Sequence, residues 1–200
     1  DQQLETSALH VGTIILAPGF EEFDPRSKSE YGYGRYPNVV SSIEFERILN
    51  ASGPFGGRMI RPSDGRLPRK IAFIQCVGSR DAQLGNNYCS AVCCMYSIKE
   101  AVVAKEHAST DLKCAIFYMD MRACGKEFDA YYNRAKEEYD VRFVRSRVAS
   151  VTEDPSTGNL FVHYVENEEP KTEEFDMVIL SVGMKPPKNV EKFGEILGIK

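Results

Sequence analysis

The chain has 200 residues, of which 42% are hydrophobic and 27% charged, a composition typical of one folded domain or two small ones. Its 25 basic and 29 acidic residues give a net charge of −4, which argues against general nucleic-acid binding because such binding needs a basic surface. Its apolar stretches are too short to cross a bilayer and its first residues lack a signal-peptide pattern, so we expect a cytoplasmic protein without direct membrane insertion.

The first predicted element is a short apolar run at 11–17. Its β-branched residues predict a buried strand, which ends in a turn at Pro18-Gly19. The polar stretch 21–38, rich in glycine and tyrosine, predicts a long ordered loop. Proline and glycine mark an extended linker over 51–68, so we expect the next structural unit to begin near Arg69.

Strands and helices alternate through the middle of the chain. The predicted elements there are a helix capped by Ser41 or Ser42 and ending at Asn50, strands at 70–75, 112–120 and 141–145, and helices over 91–107 and 126–139. This alternation predicts an α/β fold, with a parallel sheet and crossover helices over about 70–145 as in a Rossmann-like, nicotinamide-type domain. From Arg147 the hydrophobic period approaches two, which predicts a β-meander through Val165 and a last buried strand at 176–182.

The loop after the strand at 70–75 lacks the signature of a dinucleotide site. A Rossmann domain places three glycines there, because the backbone must turn tightly and approach a pyrophosphate. In the sequence QCVGSRD only Gly78 fits this pattern, while Cys76 and Asp81 replace the first and third glycines. The Cys76 side chain would obstruct the turn and the Asp81 carboxylate would repel a pyrophosphate, so we expect no useful binding of NAD(P)H.

A cysteine cluster occupies this loop and the start of the following helix. Four of the six cysteines fall within 19 residues: Cys76, Cys89, Cys93 and Cys94. Four thiolates suit either a zinc ion or an iron–sulfur cluster. Adjacent cysteines are strained as ligands of one tetrahedral zinc, whereas each can bind a separate iron of a cubane, so the spacing favours a [4Fe–4S] cluster. Zinc, a redox disulfide and a purely structural role remain open alternatives.

The other two cysteines have different settings. Cys114 lies in an apolar strand, where a thiol is commonly a small buried hydrophobe. Cys124 follows the same strand in a loop, and we expect neither thiol to be a ligand. The start of the helix at 91–107 adds backbone N–H groups and the positive end of a helix dipole, which favour an anionic cluster.

Several stretches of the sequence resemble one protein family. The segments are IAFIQCVGSRD, YCSAVCCMYSIKEAVVAKEH, IFYMDMRACGKEFDAYYNRAKEE and VILSVGMKP. They closely resemble the A-subunit family of heterodisulfide reductase, which includes the related quinone-interacting membrane-bound oxidoreductase subunits of sulfate reducers. The similarity extends from about Val11 to Pro187, so it covers nearly the whole chain.

The resemblance implies a fold, cofactors and partners. Members of the family have the thioredoxin-reductase-like flavoprotein fold and carry FAD and several [4Fe–4S] clusters. By resemblance, the four clustered cysteines bind one cluster beside the flavin, and the chain is an electron-transfer domain of a multi-subunit oxidoreductase. The implied partners are the other subunits of a heterodisulfide reductase-like complex and ferredoxin-type modules. A zinc-binding docking module without redox activity is the alternative function.

The family pattern also gives roles to the two flanking regions. Residues 1–68 resemble a flanking segment of the FAD domain with its linker, 69–175 the nicotinamide-type domain, and 176–200 a return to the FAD domain. The backbone amides expected against FAD are those of Ala17, Pro18, Gly19, Gly183 and Met184. The amino-terminal glycine motif that holds FAD is not in this sequence, which therefore resembles an internal fragment. We expect it neither to retain FAD nor to be active in isolation.

Overall fold

A computed structural model of the chain describes residues 3–108 and 111–199. Packing divides the chain into two units. Glu22–Lys185 form one compact unit, while residues up to Glu21 and from Pro186 onward form the other. Within the described ranges, no helix is both long and apolar enough to cross a membrane.

The described elements are ten strands and four α-helices. The strands are β1 (Glu21–Glu22), β2 (Val39–Ser41), β3 (Lys70–Val77), β4 (Lys113–Tyr118), β5 (Arg142–Arg145), β6 (Ser150–Glu153), β7 (Leu160–Glu166), β8 (Glu169–Phe175), β9 (Met177–Val182) and β10 (Met184–Lys185). The helices are α1 (Ser42–Leu49), α2 (Cys93–His107), α3 (Phe128–Glu137) and α4 (Val190–Leu197). Short 3-10 turns lie at Pro25–Ser27, Ser29–Tyr31 and Ala82–Leu84.

A five-stranded parallel sheet forms the centre of the larger unit. Its strand order is β2-β9-β3-β4-β5, so the chain moves from β3 outward through β4 to β5 and later returns to the other side of β3. Phe73 of β3 lies opposite Ile116 of β4 and Ile179 of β9. This order confirms the predicted α/β fold with a Rossmann-like parallel sheet. The carboxyl ends of the strands, where such folds place their ligands, lie together at one end of this sheet.

The two faces of the sheet are buried by different layers. Helices α1, α2 and α3 cover one face, where the core includes Phe45, Phe73 and Ile98. The antiparallel meander β6-β7-β8 covers the other face, and there Phe117 packs edge-on against Tyr164 and Phe175. Because successive residues of a strand point to opposite faces, β3 contributes alternate side chains to each layer.

Local sequence signals explain where α1 begins. The Ser41 side chain accepts a hydrogen bond from the Glu44 N–H, and the Glu44 carboxylate accepts one from the Ser41 N–H. This reciprocal capping satisfies two backbone donors at the helix start, as predicted for a cap at Ser41 or Ser42. Phe45 and Ile48 face the core while Ile43 is exposed.

The meander continues further than predicted. The sequence predicts it through Val165, and the structure extends it to the end of β8 at Phe175. Strand β8 has the sequence EPKTEEF. Its exposed charged side chains obscure the alternation of apolar and polar residues by which a strand is predicted. The edge position of β8 explains this composition, because an edge strand with charged residues resists pairing with other chains.

The predicted buried strand at 11–17 is wrong. Residues 3–20 contain no helix or strand, and Ile15 is 89% exposed. A strand needs a neighbour for its backbone N–H and C=O groups, and within the described residues the run at 11–17 pairs with no strand. The apolar run has the composition of a strand but lacks the pairing partner that a buried strand requires.

The larger unit extends beyond the stretch 69–175 on both sides. Strands β2 and β9 belong to the same sheet as β3, so the packed unit begins before residue 69 and ends after residue 175. The assignment of the flanking segments to a flavin domain stays a prediction.

Candidate functional site

Cys76 stands at the carboxyl end of β3 in an unusual conformation. The register with β9 shifts there, because Ile74 pairs with Leu180 and Val77 with Val182. One extra residue therefore bulges from β3, and Cys76 has a φ of 61°, in the left-handed region that side chains rarely adopt. A bulge redirects the side chain it carries and is common beside functional sites. This bulge turns the Cys76 thiol out of the regular strand pattern.

The loop after β3 folds back on itself. The Arg80 N–H donates to the Tyr88 carbonyl over 2.8 Å, and Asp81 and Asn86 exchange backbone hydrogen bonds of 2.8 and 2.9 Å. The Asn86 side chain also donates to the Gly78 carbonyl. These bonds close the loop, so that the residue after Tyr88, Cys89, returns to the end of β3.

Helix α2 supplies the remaining two thiols from its first turn. Cys93 and Cys94 are its first two residues, and they are only 5% and 7% exposed. The Cys93 thiol donates to the Val182 carbonyl at the end of β9, over 3.8 Å. The Cys94 sulfur accepts the Arg122 N–H over 3.3 Å. The strand, the returning loop and the helix start thus come together at the carboxyl ends of β3 and β9.

The four thiols lie close enough to influence one another electrostatically. Burial raises the pKa of Cys76, and repulsion from Cys94 and Cys89 raises it further. Burial also raises the pKa of Cys93 to about 11, with added repulsion from the other three thiols. Burial raises the pKa of Cys94, again with repulsion from Cys89. Without a bound cation these three thiols are therefore protonated at neutral pH.

The other two cysteines are in different surroundings. Burial raises the pKa of Cys114 to about 12, and none of the clustered thiols contributes to that shift. Its thiol donates to the Ala101 carbonyl inside the helical layer. Cys124 is exposed in the loop after β4. Their placement agrees with the expectation that neither is a ligand, which stays a prediction.

The four thiols lie near one another, but their present geometry is not that of a metal-binding site. Among residues 3–108 and 111–199, no three histidine, cysteine or acidic side chains are placed as ready metal ligands. The assignment of Cys76, Cys89, Cys93 and Cys94 as ligands therefore stays a prediction.

Cationic and unpartnered polar groups surround the thiols. The Arg80 and Arg122 charges lower the pKa of Cys94, and Arg80 also lowers that of Cys76, in each case against the larger effect of burial. Among residues 3–108 and 111–199, buried side-chain atoms without a hydrogen-bond partner lie on Gln75, Ser79 and Arg80, close to Cys76 in the chain. Such atoms are rare in folded proteins and call for a bound water, ion or ligand. Thiols that lie beside an arginine side chain and unpaired hydrogen-bond donors are suited to binding an anionic group rich in sulfur.

Sequence reasoning does not single out these two arginines. Arg80 lies in the same QCVGSRD loop as Cys76, four residues later, and Arg122 lies two residues before Cys124. A basic residue next to a cysteine motif is a usable signal, because anionic clusters need charge compensation. Arg80 reaches the thiols because the loop closes, and Arg122 because of the path that the chain takes after β4. The spacing of the cysteines in the sequence indicates neither feature.

The Asp81 carboxylate is buried in an ion pair with Lys28 rather than exposed to solvent. Its carboxylate is 4% exposed and accepts a hydrogen bond of 2.9 Å from the Lys28 ammonium. It also accepts the Gln83 N–H, which caps the short turn that follows. The Lys28 hydrogen bond holds the pKa of this carboxyl below its usual value. Asp81 therefore fixes the closed loop, and the expected absence of NAD(P)H binding stays a prediction.

The residues expected against FAD fall in two places. Ala17, Pro18 and Gly19 lie in the exposed segment without regular structure. The Gly183 N–H donates to the Val77 carbonyl over 2.7 Å, and the Met184 N–H donates to the Ser90 hydroxyl over 3.0 Å. The latter two amides are thus engaged within the chain, and the flavin roles of all five residues stay predictions.

Comparisons with known proteins give close relatives, although no family model matches the chain. It is 48% identical over 201 residues to the second of two iron-sulfur A subunits of CoB–CoM heterodisulfide reductase from Methanopyrus kandleri. It is 47% identical over 203 residues to the iron-sulfur A subunit of CoB–CoM heterodisulfide reductase from Methanocaldococcus jannaschii. Both matches cover 100% of this chain, which spans 30% and 31% of the two relatives' lengths.

Among solved structures, a thioredoxin reductase of T. acidophilum matches with a TM-score of 0.49 and 14% identity. That match covers 86% of this chain and 43% of the reductase.

Proposed function

Since this chain is homologous along its whole length to a segment of the heterodisulfide reductase A subunits, we propose that it is an electron-transfer part of a flavin- and iron–sulfur-containing oxidoreductase. The proposed ligands of one [4Fe–4S] cluster are Cys76, Cys89, Cys93 and Cys94. The observation that supports this proposal is the position of Cys76 at the end of β3 and of Cys93 beside the end of β9, with Cys94 and Cys89 near enough to raise the pKa of the Cys76 thiol. When bound, such a cluster accepts and releases single electrons.

The names of the relatives favour iron over zinc. Both relatives are called iron-sulfur subunits, and the adjacent Cys93 and Cys94 fit separate corners of a cubane better than one tetrahedral ion. The chain spans about 30% of these relatives, so we propose that the enzymatic activity belongs to a larger assembly. Its other parts would be the FAD site, ferredoxin-type modules and partner subunits.

The chain's own residues would each make a distinct contribution to the site. The bulge at Cys76 directs one thiol out of the sheet, while the closed loop returns Cys89 to the same place. The first turn of α2 buries Cys93 and Cys94, which excludes water from that side. Its unpaired backbone N–H groups and dipole favour negative charge there.

Flavin contacts are part of the proposal for the longer protein. There, Ala17, Pro18 and Gly19 would lie against FAD, together with Gly183 and Met184. Gly183 has a separate reason to be glycine in this chain, because a Cβ atom would lie 3.0 Å from the Ser90 hydroxyl and 3.1 Å from the Ser79 Cβ. The close approach of the β9 end to the β3 loop therefore favours glycine here, whatever the residue contacts beyond the chain.

Anaerobic reconstitution of the full chain with iron and sulfide tests the proposal. We expect about four irons and four sulfides per chain, a brown protein and broad visible absorption, as a cubane requires. A colourless protein that takes up stoichiometric zinc and no iron would contradict it and favour the zinc module, because the filled d shell of zinc gives no visible absorption.

A further inference from the structure

Arg80 occupies a strained and anchored position beside the cysteine site. Its backbone has a φ of 53°, in the left-handed region. Its guanidinium Nη2 donates to the Asp120 carboxylate over 2.8 Å, and the side chain is 22% exposed. The backbone carbonyl of the same Asp120 accepts a hydrogen bond from the Cys94 thiol. Asp120 therefore ties Arg80 and Cys94 to one point in the loop after β4.

Besides Asp120, this guanidinium interacts with the Cys76 thiol, whose pKa it lowers against the larger effect of burial. Its Nη1 is buried and has no hydrogen-bond partner in the described part of the chain. A buried, charged donor without an acceptor is costly, and native structures rarely leave one. Arg80 and Cys76 both line one small pocket at the carboxyl end of β3, so the guanidinium lies beside the cysteine site.

We propose that Arg80 is a positioning residue that sets the reduction potential of the cluster, and that the Asp120 carboxylate holds it in place and partly offsets its charge. This inference rests on the proposed function, because it assumes that the four thiols bind an iron–sulfur cluster. Nothing in the cysteine spacing assigns either residue to this role.

The direction of the effect follows from charge. One-electron reduction makes the bound cluster one unit more negative, so a cation held nearby stabilises the reduced form more than the oxidised form. Arg80 therefore raises the potential, and the neighbouring carboxylate of Asp120 lowers it. A residue with a merely structural role would not give shifts of opposite sign on the two sides of one ion pair.

The test is an anaerobic dithionite titration of the reconstituted full chain, with the reduced cluster followed by electron paramagnetic resonance. We expect Arg80→Gln to lower the equilibrium constant for one-electron reduction about tenfold, which is about 59 mV towards negative potential. Arg80→Lys keeps the charge and should stay within about threefold of the unaltered chain. Arg145→Gln is the matched control, because Arg145 also contacts Asp120 but its side chain is 75% exposed. It should change the constant less than about threefold.

Asp120→Asn provides a second and opposite test. The asparagine oxygen can still accept the Arg80 hydrogen bond, so the guanidinium stays in place while a negative charge is lost. We expect the reduction constant to rise about threefold or more. If Arg80→Gln cannot hold iron, this variant decides the question by itself.

The outcomes separate the inference from the function on which it rests. If the unaltered chain binds no iron, the proposed function fails and the inference falls with it. If the unaltered chain binds its cluster but Arg80→Gln and Asp120→Asn leave the potential unchanged or move it in the same direction, the inference alone is overturned.

Discussion

The end of the parallel sheet at which its strands terminate, called the carboxyl edge below, differs from the two faces of the sheet in backbone conformation and in packing. Each face has an apolar core: Phe73 is fully buried against Phe45 on the helical side, and Phe117 is equally enclosed on the meander side. The edge carries left-handed residues that are not glycine, including Cys76 and Arg80.

The difference shows which part of the molecule keeps the fold and which part is free to hold a function. Strained backbone and unpartnered polar atoms lower stability, and they persist only where a rigid surrounding enforces them. Here the apolar cores of the faces supply that rigidity. The edge carries the strained Cys76 and Arg80 and, of the five residues with unpartnered buried atoms in the described ranges, the three that are Gln75, Ser79 and Arg80. Changes at the edge should therefore alter metal binding more than stability, and changes on the faces should do the reverse.

The first prediction has the largest expected effect, which is the loss of iron binding. It compares substitutions of two buried cysteines, one at the carboxyl edge and one on the helical face. Cys93→Ser should abolish stable iron binding after anaerobic reconstitution, because it removes a ligand from the first turn of α2. Cys114→Ser should leave iron and sulfide content unchanged, because Cys114 contacts only the helical layer around Ala101. Iron and acid-labile sulfide analysis, with visible spectra, measures both.

The reverse result would sink the ligand assignment. If the Cys93→Ser chain kept its iron while the Cys114→Ser chain lost it, the cluster would lie on the wrong side of the sheet. Circular dichroism of both variants before reconstitution shows that any lost iron is not a consequence of unfolding.

The second prediction concerns stability on the helical face. Phe73→Ala should lower the free energy of unfolding by about 3–5 kcal/mol, because the truncation leaves a cavity beside Phe45. Leu84→Ala, in the loop at the edge, should change it by less than about 0.5 kcal/mol, because Leu84 is 37% exposed. Urea unfolding of the metal-free chains measures both, and similar losses for the two would contradict the distinction between faces and edge.

The sequence predicts the faces far better than the edge or the termini. The periodicity of β3, α2 and β4 is strong because each buries apolar residues against neighbours within the chain, and their predicted bounds lie within about two residues of the observed ones. Strand β8 escapes prediction because its exposed side chains are charged, and the sequence patterns do not assign α4. The run at 11–17 is misleading because its composition carries no information about whether a partner strand exists.

The candidate site can be predicted in its residues but not in its surroundings. Cysteine spacing identifies the four thiols because ligand chemistry limits which separations along a chain are useful. The bulge at Cys76 depends on a register shift against β9, about a hundred residues later, and no local pattern encodes it. The pairing of Arg80 with Asp120 likewise joins two loops that are distant in sequence.

The third prediction tests a buried acid on the helical face. Glu100 of α2 is 2% exposed, and burial, with added repulsion from Glu46, raises its pKa from 4.5 to about 9. Between these values the folded chain keeps a proton that the unfolded chain releases. The stability present below pH 4.5 is therefore lost as pH rises towards 9, by up to about 1.4 kcal/mol per pH unit.

Glu100→Gln should remove this dependence. The amide keeps the shape of the protonated acid. The free energy of unfolding of the variant, relative to that of the unaltered chain, should therefore increase by about 1–3 kcal/mol as the pH rises from about 6 to about 8. Glu137→Gln is the control, since Glu137 is exposed at the end of α3 and does not contribute to the pKa of Glu100. Urea unfolding at several pH values gives the result, and a stability difference that stayed constant with pH would show that Glu100 is ionised in the folded chain.

The smallest expected effect isolates the strain at the edge. Cys76→Gly should stabilise the metal-free chain by about 0.5–1 kcal/mol, because glycine adopts a φ of 61° without the steric penalty that a Cβ atom brings. Cys89→Gly should instead destabilise it by about 0.5–1 kcal/mol, because Cys89 is not in the left-handed region and glycine only adds freedom to the unfolded chain. Urea unfolding without metal compares the two. Equal losses at both positions would mean that the bulge stores no strain. Opposite signs would mean that a cysteine stands at a position better suited to glycine, which is expected where the sulfur itself is needed.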